Sequence, residues 1–162
     1  MATKEEIIAT IRQGIERVER TFGTLTDEQL ATQVHSEEAG WTARDILTHL
    51  AGRARGYYLT FRLAEGTPMP PRPGGFDVNA WNQDRIAERA GKSRDELLAE
   101  FRQVHEDLIA KVQALPDEQL ERTIPRAQGS IPISEALSGG GGRHSINHTI
   151  EVEKALGLEA PE

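Results

Sequence analysis

Apolar side chains recur at steps of three and four residues along most of this chain, which is the spacing of one face of an α-helix. The clearest stripe runs from Leu97 to Leu115. It begins after Ser93 and Glu96, which have the spacing of a capping box, in which each side chain bonds the other residue's backbone N–H. Pro116 follows the stripe directly, and proline does not continue a helix. These signals together predict a long helix.

Three further stretches carry the same spacing and bring the count to four main helices. They cover residues 3–25, 42–65 and 133–156. The second begins at a capping residue, Thr42, with Asp45 three positions later. We therefore predict an all-α fold, a four-helix bundle with at least one long crossover connection.

Two connections and one shorter helix complete the predicted architecture. Residues 66–75 contain four prolines, too many for a helix, and their length allows a long crossover across the bundle. Residues 124–132 contain two prolines and a glycine, so we expect an irregular connection there. A shorter helix is predicted over residues 76–90, with inward-facing side chains at Val78, Trp81 and Ile86.

Four consecutive glycines, Gly139 to Gly142, interrupt the last helical stretch. Each glycine costs a helix roughly 1 kcal/mol relative to alanine. We therefore expect a break, kink or loop at this point, with a fresh helix starting near His144. Such a segment would loosen a neighbouring site or act as its gate.

A weak internal repeat relates the two halves of the chain at an offset of 90 residues. Residues 25–30 recur as residues 115–120, and both contain Asp-Glu-Gln-Leu. The apolar positions of the flanking helices align at the same offset. Two explanations stay open, because pseudo-symmetry would produce this pattern and so would convergence, since acidic residues suit the first turn of any helix.

His144 and His148 are the strongest candidates for functional residues. On a helix, their spacing of four residues places both rings on one face, one turn apart. Such a pair can hold a metal ion together with one ligand from another element, and His49 in the second helix is the best candidate for that ligand. The alternative is that the pair lies on a solvated helix face or is satisfied within the core.

The remaining ionisable residues near these histidines have simpler expected roles. Glu151 and Glu153 are expected to be solvated helix charges, although Glu151 has the spacing to hydrogen-bond His148. His35 is expected to be exposed in a polar loop. His105 is expected at the flank of the bundle, near the edge of its helix's apolar stripe.

Composition limits the chemistry and the partners. The chain of 162 residues has no cysteine, so it supplies no disulfide and no thiolate, and a metal site must use histidine and carboxylate ligands. A formal net charge of -7 argues against a nucleic-acid surface or an anionic membrane surface. The sequence shows no signal peptide and no apolar run long enough to span a bilayer, so we expect a cytoplasmic protein.

Several of these segments resemble one family. Residues 40–52, which read Gly-Trp-Thr-Ala-Arg-Asp-Ile-Leu-Thr-His-Leu-Ala-Gly, resemble the first metal-histidine motif of the DinB-like four-helix bundles. Residues 76–120 and the closing pair, His144 and His148, resemble the same family, especially its thiol-dependent transferases and the N-terminal domain of mycothiol-dependent maleylpyruvate isomerase. The resemblance covers nearly the whole chain and implies one DinB-like helical-bundle domain over residues 1–162.

The resemblance also implies a cofactor and a ligand set. Family members hold a divalent metal ion, often zinc or nickel, and the matching positions here are His49, His144 and His148. In thiol-dependent members the metal favours the thiolate of a low-molecular-weight thiol such as mycothiol, and the thiolate attacks an electrophile. The chain departs from the isomerase branch, where one ligand is a glutamate, and the glycine run is not a family feature.

We therefore expect a metal-dependent enzyme that transfers a small thiol to an electrophilic or toxic compound. The residues expected to line its pocket are Arg53, Tyr57, Trp81, Asn82 and Arg85. Arg53 would hold a carboxylate of the thiol or of the substrate. The alternatives are metal-assisted hydrolysis of a small molecule, for which Glu151 is the nearest base, and a non-enzymatic bundle that sequesters a small apolar ligand. A homodimer is compatible with the family.

Overall fold

The computed structural model describes residues 2–34, 40–67, 77–126 and 129–158, and these ranges are mostly helical. His35 and residues 68–76 of the proline-rich connection lie outside them. The helices are α1 (Lys4–Phe22), α2 (Asp27–Leu30), α3 (Ala43–Ala51), α4 (Ala54–Ala64), α5 (Val78–Ala87), α6 (Arg94–Ala114), α7 (Asp117–Leu120), α8 (Ile133–Leu137) and α9 (His144–Ala155). The strands β1 (Thr123–Arg126) and β2 (Gly129–Pro132) form an antiparallel hairpin, and a π-helical turn (Ser138–Arg143) joins α8 to α9.

Four helical columns form the bundle, which confirms the predicted all-α class. The columns are α1, the pair α3–α4, α6, and the continuous run of α8, the π-helical turn and α9. Helix α1 packs against α6 and α9, and α3 packs against the same two helices, so α1 and α3 lie at opposite corners. The chain therefore crosses a diagonal of the bundle between α1 and α3 and again between α6 and α9. Within the described ranges, no helix is both long and apolar enough to cross a bilayer.

The helix starts follow the predicted capping residues. Thr42 and Asp45 form a reciprocal capping box at α3, and Ser93 and Glu96 form another at α6. In each box the side chains satisfy backbone N–H groups that have no partner within the helix. The first of these boxes fixes the start of α3 at Ala43, six residues before His49.

Three predicted elements differ from the structure. The second long helix divides at Gly52 and Arg53 into α3 and α4. Residues 124–132 were expected to be irregular, but β1 and β2 pair with Ile124 opposite Ile131, because both prolines stand at positions the hairpin tolerates. Val78 was expected to face inward, yet 51% of it is exposed, since it is the first residue of the short helix α5.

The structure repeats its elements at the offset found in the sequence. Helices α1, α2 and α4 begin 90 residues before α6, α7 and α9. An isolated β-bridge joins Gln33 to Thr42. The residues 90 positions later, Thr123 and Pro132, are also paired, in the β1–β2 hairpin. Convergent capping chemistry does not explain why the helix starts and a bridge all keep one offset, so the pseudo-symmetric explanation accounts for the pattern.

The glycine run does not break the last column. A π-helical turn carries it from α8 into α9, so the expected loop is absent although α9 does begin at His144. The reason is close packing against α1: a Cβ on Gly142 would lie 2.3 Å from the Thr10 carbonyl oxygen, and one on Gly141 would lie 3.0 Å from Ile11. These glycines allow two helices to approach closely rather than loosening the chain.

Candidate metal centre

The structure brings the three predicted histidines together between two columns of the bundle. His49 lies on α3, and His144 and His148 lie one turn apart on α9. The Nε2 atoms of His49 and His144 are 2.9 Å apart, and one nitrogen from each of the three rings lies within 4.8 Å of the other two. The predicted pairing of a helical i, i+4 motif with one residue from a second helix is therefore present in space.

Neighbouring side chains set the orientation of these rings. His148 Nδ1 donates a hydrogen bond to the Glu151 carboxylate at 2.8 Å. The Nε2 atom of His148 is therefore the nitrogen that faces the other two rings. The Trp41 ring lies 5.0 Å from the His49 ring and covers it. A carboxylate behind a histidine is the usual partner of a metal ligand, because it fixes the ring and raises its basicity.

The donor set fits a divalent transition metal. Three imidazole nitrogens are an accepted ligand set for zinc, and tetrahedral ligands at about 2.05 Å from zinc would be about 3.3 Å apart. The observed spacing of His49 and His144 needs an outward shift of less than half an ångström to reach that value, which a rotation about the side-chain bonds provides. Three protein ligands also leave a coordination position open, as in catalytic rather than structural sites.

Burial and a nearby cation keep the two inner rings neutral. Burial, followed by the charge of Arg53, lowers the pKa of His49 to about 3. The same causes in the same order lower the pKa of His144 far below its usual range. Neutral imidazole is the form that binds a metal ion, so both rings are ready to bind throughout the physiological pH range.

A fourth buried histidine lies beside this group but is not part of it. His105 on α6 was expected at the flank of the bundle, yet its side chain is fully buried. Its Nδ1 atom donates to the Phe101 carbonyl at 2.8 Å, which leaves Nε2 as an acceptor 3.0 Å from the Tyr57 hydroxyl. The sequence signal was its position four residues after Phe101 and three before Leu108, within the apolar stripe.

The buried histidines should make the metal-free protein sensitive to mild acid. Burial lowers the pKa of His105 to about 4, against 6.5 when exposed, so protons bind the unfolded chain first as the pH falls. The stability that His105 contributes is present above pH 6.5 and is lost toward pH 4. From pH 7 to pH 5 we expect this residue alone to lower the free energy of unfolding by about 2 kcal/mol.

Urea unfolding of the metal-free protein at both pH values measures this effect. His105→Gln should reduce the difference between pH 7 and pH 5 by about that amount, whatever it does to stability at pH 7. The difference is the informative quantity, because loss of packing lowers stability equally at both pH values. If the variant showed the same difference in unfolding free energy between pH 7 and pH 5 as the wild type, His105 would have the same pKa in the folded and unfolded protein, and the prediction would be wrong.

Four of the five residues predicted to line a pocket do line one cavity, and Tyr57 does not. A cavity of about 20 Å³ beside His49 is lined by four of them, together with two glycines: Arg53, Trp81, Asn82, Arg85, Gly52 and Gly56. This volume holds roughly one small polar group. Tyr57 does not line the cavity, because its hydroxyl turns to the Gly140 carbonyl at 3.0 Å and to His105.

Gly140 links this cavity to the π-helical turn. Its carbonyl oxygen accepts a hydrogen bond from Arg53 at 3.3 Å and lies 3.0 Å from the Tyr57 hydroxyl, whose single proton is shared between this oxygen and His105 Nε2. A π-helical turn widens the helix and changes the direction of its carbonyl groups, and such turns are frequent at functional sites. The turn therefore ties α4 to the start of α9, where His144 lies. Sequence reasoning treated these glycines as a weakness and missed this contact.

One buried ion pair fixes α9 against α1. Glu153 was expected to be a solvated charge, but its side chain is only 5% exposed and is bonded by Arg17 and by the Thr21 hydroxyl at 2.7 Å. Burial raises the pKa of this carboxyl, but the hydrogen bonds from Arg17 and Thr21 outweigh it and hold the pKa below its usual value. Glu153 therefore does not belong to the histidine group.

Comparisons with known proteins agree with this fold and with the histidine group. The family model of the mycothiol maleylpyruvate isomerase N-terminal domain matches residues 11–136, which include His49 and end before the closing histidines. A Bacillus subtilis protein named "Putative metal-dependent hydrolase YfiT" is 30% identical over an alignment of 159 residues, and the alignment covers 94% of this chain and 82% of YfiT.

Solved structures share the fold at low sequence identity. The crystal structure of mycothiol-dependent maleylpyruvate isomerase matches with a TM-score of 0.72 at 18% identity, and the match covers 93% of this chain and 61% of the isomerase. YfiT from Bacillus subtilis, described as having an unusual four-helix bundle topology, matches with a TM-score of 0.70 at 23% identity, covering 96% and 89% of the two chains. The colibactin self-resistance protein ClbS, crystallised with double-stranded DNA, matches at 0.76 and 16% identity over 99% of both chains.

The family is settled by the sequence matches, and the structures add the fold. The model match spans more than half of the chain, and the YfiT match extends through the closing histidines. Metal dependence is part of YfiT's name, and three histidines are grouped here as metal ligands would be. The chain belongs to the mycothiol maleylpyruvate isomerase N-terminal domain family, within the DinB-like superfamily of four-helix bundles.

Proposed function

We propose that this protein is a metal-dependent enzyme that transfers a low-molecular-weight thiol to an electrophilic small molecule. The observation that carries the proposal is the group of three ring nitrogens within 4.8 Å of one another, one of which belongs to His49 at the wall of a small polar cavity. His49, His144 and His148 would hold the ion. A bound divalent ion would stabilise the anion of a thiol, or of water, by lowering its pKa.

The protein's own side chains prepare the site for this role. Glu151 holds the His148 ring so that Nε2 faces His49 and His144. Burial keeps the other two rings unprotonated and therefore able to bind a cation. Because the chain has no cysteine, it offers no competing thiolate, and the sulfur must come from a cosubstrate.

Hydrolysis is the second candidate, and YfiT's name is the observation that favours it. A free carboxylate beside the ion would serve as the general base for hydrolysis by activated water. The nearest carboxylate, Glu151, is already bonded to His148 at 2.8 Å. No carboxylate lines the cavity within the part of the chain that the structure describes. Both features support thiol transfer over hydrolysis.

Elemental analysis of the purified protein tests the ligand set. We expect about one divalent metal ion per chain after incubation with zinc or nickel, because three imidazole ligands form one site. Changing His49, His144 and His148 to alanine should abolish binding. His105→Gln is the matched control, since His105 is a neighbouring histidine that is at least as buried as the three but lies outside the group, and this variant should keep its metal. Equal metal content in the triple variant and the wild type would refute the site.

Activity measurements then separate the two reactions. The metal-loaded protein is incubated with mycothiol, glutathione, coenzyme A or cysteine and with an alkylating electrophile such as monochlorobimane, and thioether formation is followed. We expect catalysis that needs both the thiol and the three histidines. Turnover of a substrate by the metal-loaded protein without any thiol would instead establish hydrolysis. Absence of metal from every preparation would leave a non-enzymatic bundle.

A further inference from the structure

We infer that the cavity beside His49 is a carboxylate-binding subsite formed by Arg53 and Arg85. This inference deepens the proposed function, on which it rests, because it assigns a chemical class to the thiol or substrate that meets the metal centre. It predicts that one of the two reactants bears a carboxylate group a short distance from its reacting atom.

Two guanidinium groups with unused hydrogen-bonding capacity carry the inference. Arg53 and Arg85 both line the cavity, as does His49. The Nε atoms of both arginines are buried and have no hydrogen-bond partner in the described structure. A guanidinium that donates from Nε and one Nη forms the two parallel hydrogen bonds that a carboxylate accepts. An unpaired buried donor is unfavourable, so each Nε favours an incoming acceptor.

The side chains around the cavity carry an excess of positive charge, which favours binding of an anion. Within the described ranges, Arg53 forms no ion pair. Its guanidinium lies 5.3 Å from the Tyr57 ring, and its hydrogen-bond partners, the Gly140 carbonyl and Tyr57, are both neutral. Arg85 pairs with Glu88, whose side chain is 51% exposed and therefore weakly bound. Among the residues that the structure describes, the cavity wall contains two cations and no carboxylate, although the whole chain carries a net charge of -7.

The shape of the cavity selects the group that enters. Its volume of about 20 Å³ admits a head group of a few atoms rather than a whole ligand. The Trp81 ring, which lies 5.0 Å from the Arg85 guanidinium, forms one wall and suits a flat group. A carboxylate is flat, small and bidentate, whereas an apolar group would leave the Nε atoms of both arginines buried without an acceptor.

A matched pair of thiols tests the subsite. We would titrate the full-length protein with 3-mercaptopropionate and with its neutral analogue 3-mercaptopropanamide, using ligand-observed NMR at pH 7, with zinc bound and without metal. The wild type should bind the carboxylate at least about tenfold more tightly than the amide, because two charge-assisted hydrogen bonds distinguish them. The double variant R53Q/R85Q should reduce this ratio to about one.

The ratio distinguishes recognition from structural damage, since a misfolded site would lose both thiols together. Arg55→Gln is the control, because Arg55 is exposed and also lies 5.0 Å from the Trp81 ring, yet it is not part of the cavity wall. It should keep the wild-type ratio. If circular dichroism shows the double variant unfolded, R53Q and R85Q are measured singly, and each should lower the ratio about threefold.

Two results would overturn the subsite: equal affinity for both thiols in the wild type, or an unchanged ratio in the arginine variants. Failure of the proposed function looks different. In that case the protein would bind no metal, while the metal-free titration would still show the preference for the carboxylate, because that preference depends on the arginines and not on the ion.

Discussion

Gly142→Ala is expected to lower the free energy of unfolding by at least about 3 kcal/mol, a large fraction of the stability of a typical domain. A Cβ at this position would lie 2.3 Å from the Thr10 carbonyl oxygen and 2.4 Å from the Thr10 carbonyl carbon. These are backbone atoms of α1, so no side-chain rotation relieves the overlap. The whole π-helical turn would have to move away from α1, and with it the start of α9. Urea unfolding followed by circular dichroism measures the change.

Gly139→Ala is the matched control, because it makes the same substitution three residues earlier in the same turn. A Cβ on Gly139 meets no atom within 4 Å. Replacing an unconstrained helical glycine by alanine restricts the unfolded chain, so this variant should be neutral or more stable by about 0.5–1 kcal/mol. Similar losses in both variants would mean that the turn needs glycine for its backbone conformation and not for its approach to α1.

The glycine run also shows what helix propensity leaves out. Propensity is local, and four glycines are correctly scored as poor helix formers. The packing of this segment depends on Thr10 and Gly14, more than 120 residues earlier in the chain. A Cβ on Gly14 would in turn lie 3.2 Å from the Gly142 carbonyl oxygen. The glycine at position 14 in an otherwise good helix was the only signal of this approach, and it has meaning only once the pairing of the two helices is known.

The candidate site also has one part that the sequence predicts and one part that depends on tertiary packing. The spacing of His144 and His148, with His49 on the apolar side of another helix, was enough to predict a group of three rings. The roles of Arg53 and Arg85 in one cavity depend on how α5 packs against α3, and the intervening residues 66–75 hold no pattern that fixes that packing. Tyr57 illustrates the limit, since four residues along the helix from Arg53 it turns to Gly140 instead of the cavity.

Helix boundaries were predictable for a physical reason. Capping boxes such as those of Thr42 and Ser93 are local hydrogen bonds between residues three apart, so sequence alone specifies them. Buried charges were not predictable, because the partner of Glu153 is Arg17 on α1, 136 residues away. On its own helix, Glu153 has the appearance of an ordinary solvated acid.

Arg17→Met is expected to destabilise the protein by about 3–5 kcal/mol at neutral pH, because it leaves the Glu153 carboxylate buried without its cation. Arg17 bonds this carboxylate through Nη2 at 2.5 Å and Nε at 3.3 Å, and after the substitution Thr21 would remain as its hydrogen-bond donor. The pair joins α1 to α9 five residues after His148, so the same variant should weaken metal binding. Chemical unfolding and metal titration measure the two effects.

The penalty should shrink as the pH falls, which separates lost charge pairing from lost packing. In the wild type the pKa of Glu153 is held low, so the stability from ionised Glu153 is present above its ordinary pKa and is lost in acid. In Arg17→Met the pKa of Glu153 rises, and protonation then relieves the unpaired charge.

Arg102→Met is the surface control: Arg102 pairs with Glu19 but is 53% exposed, so its loss should cost less than about 1 kcal/mol. Equal costs for the two arginines would show that Glu153 reaches water when Arg17 is removed, and that α9 is held to α1 by apolar packing alone.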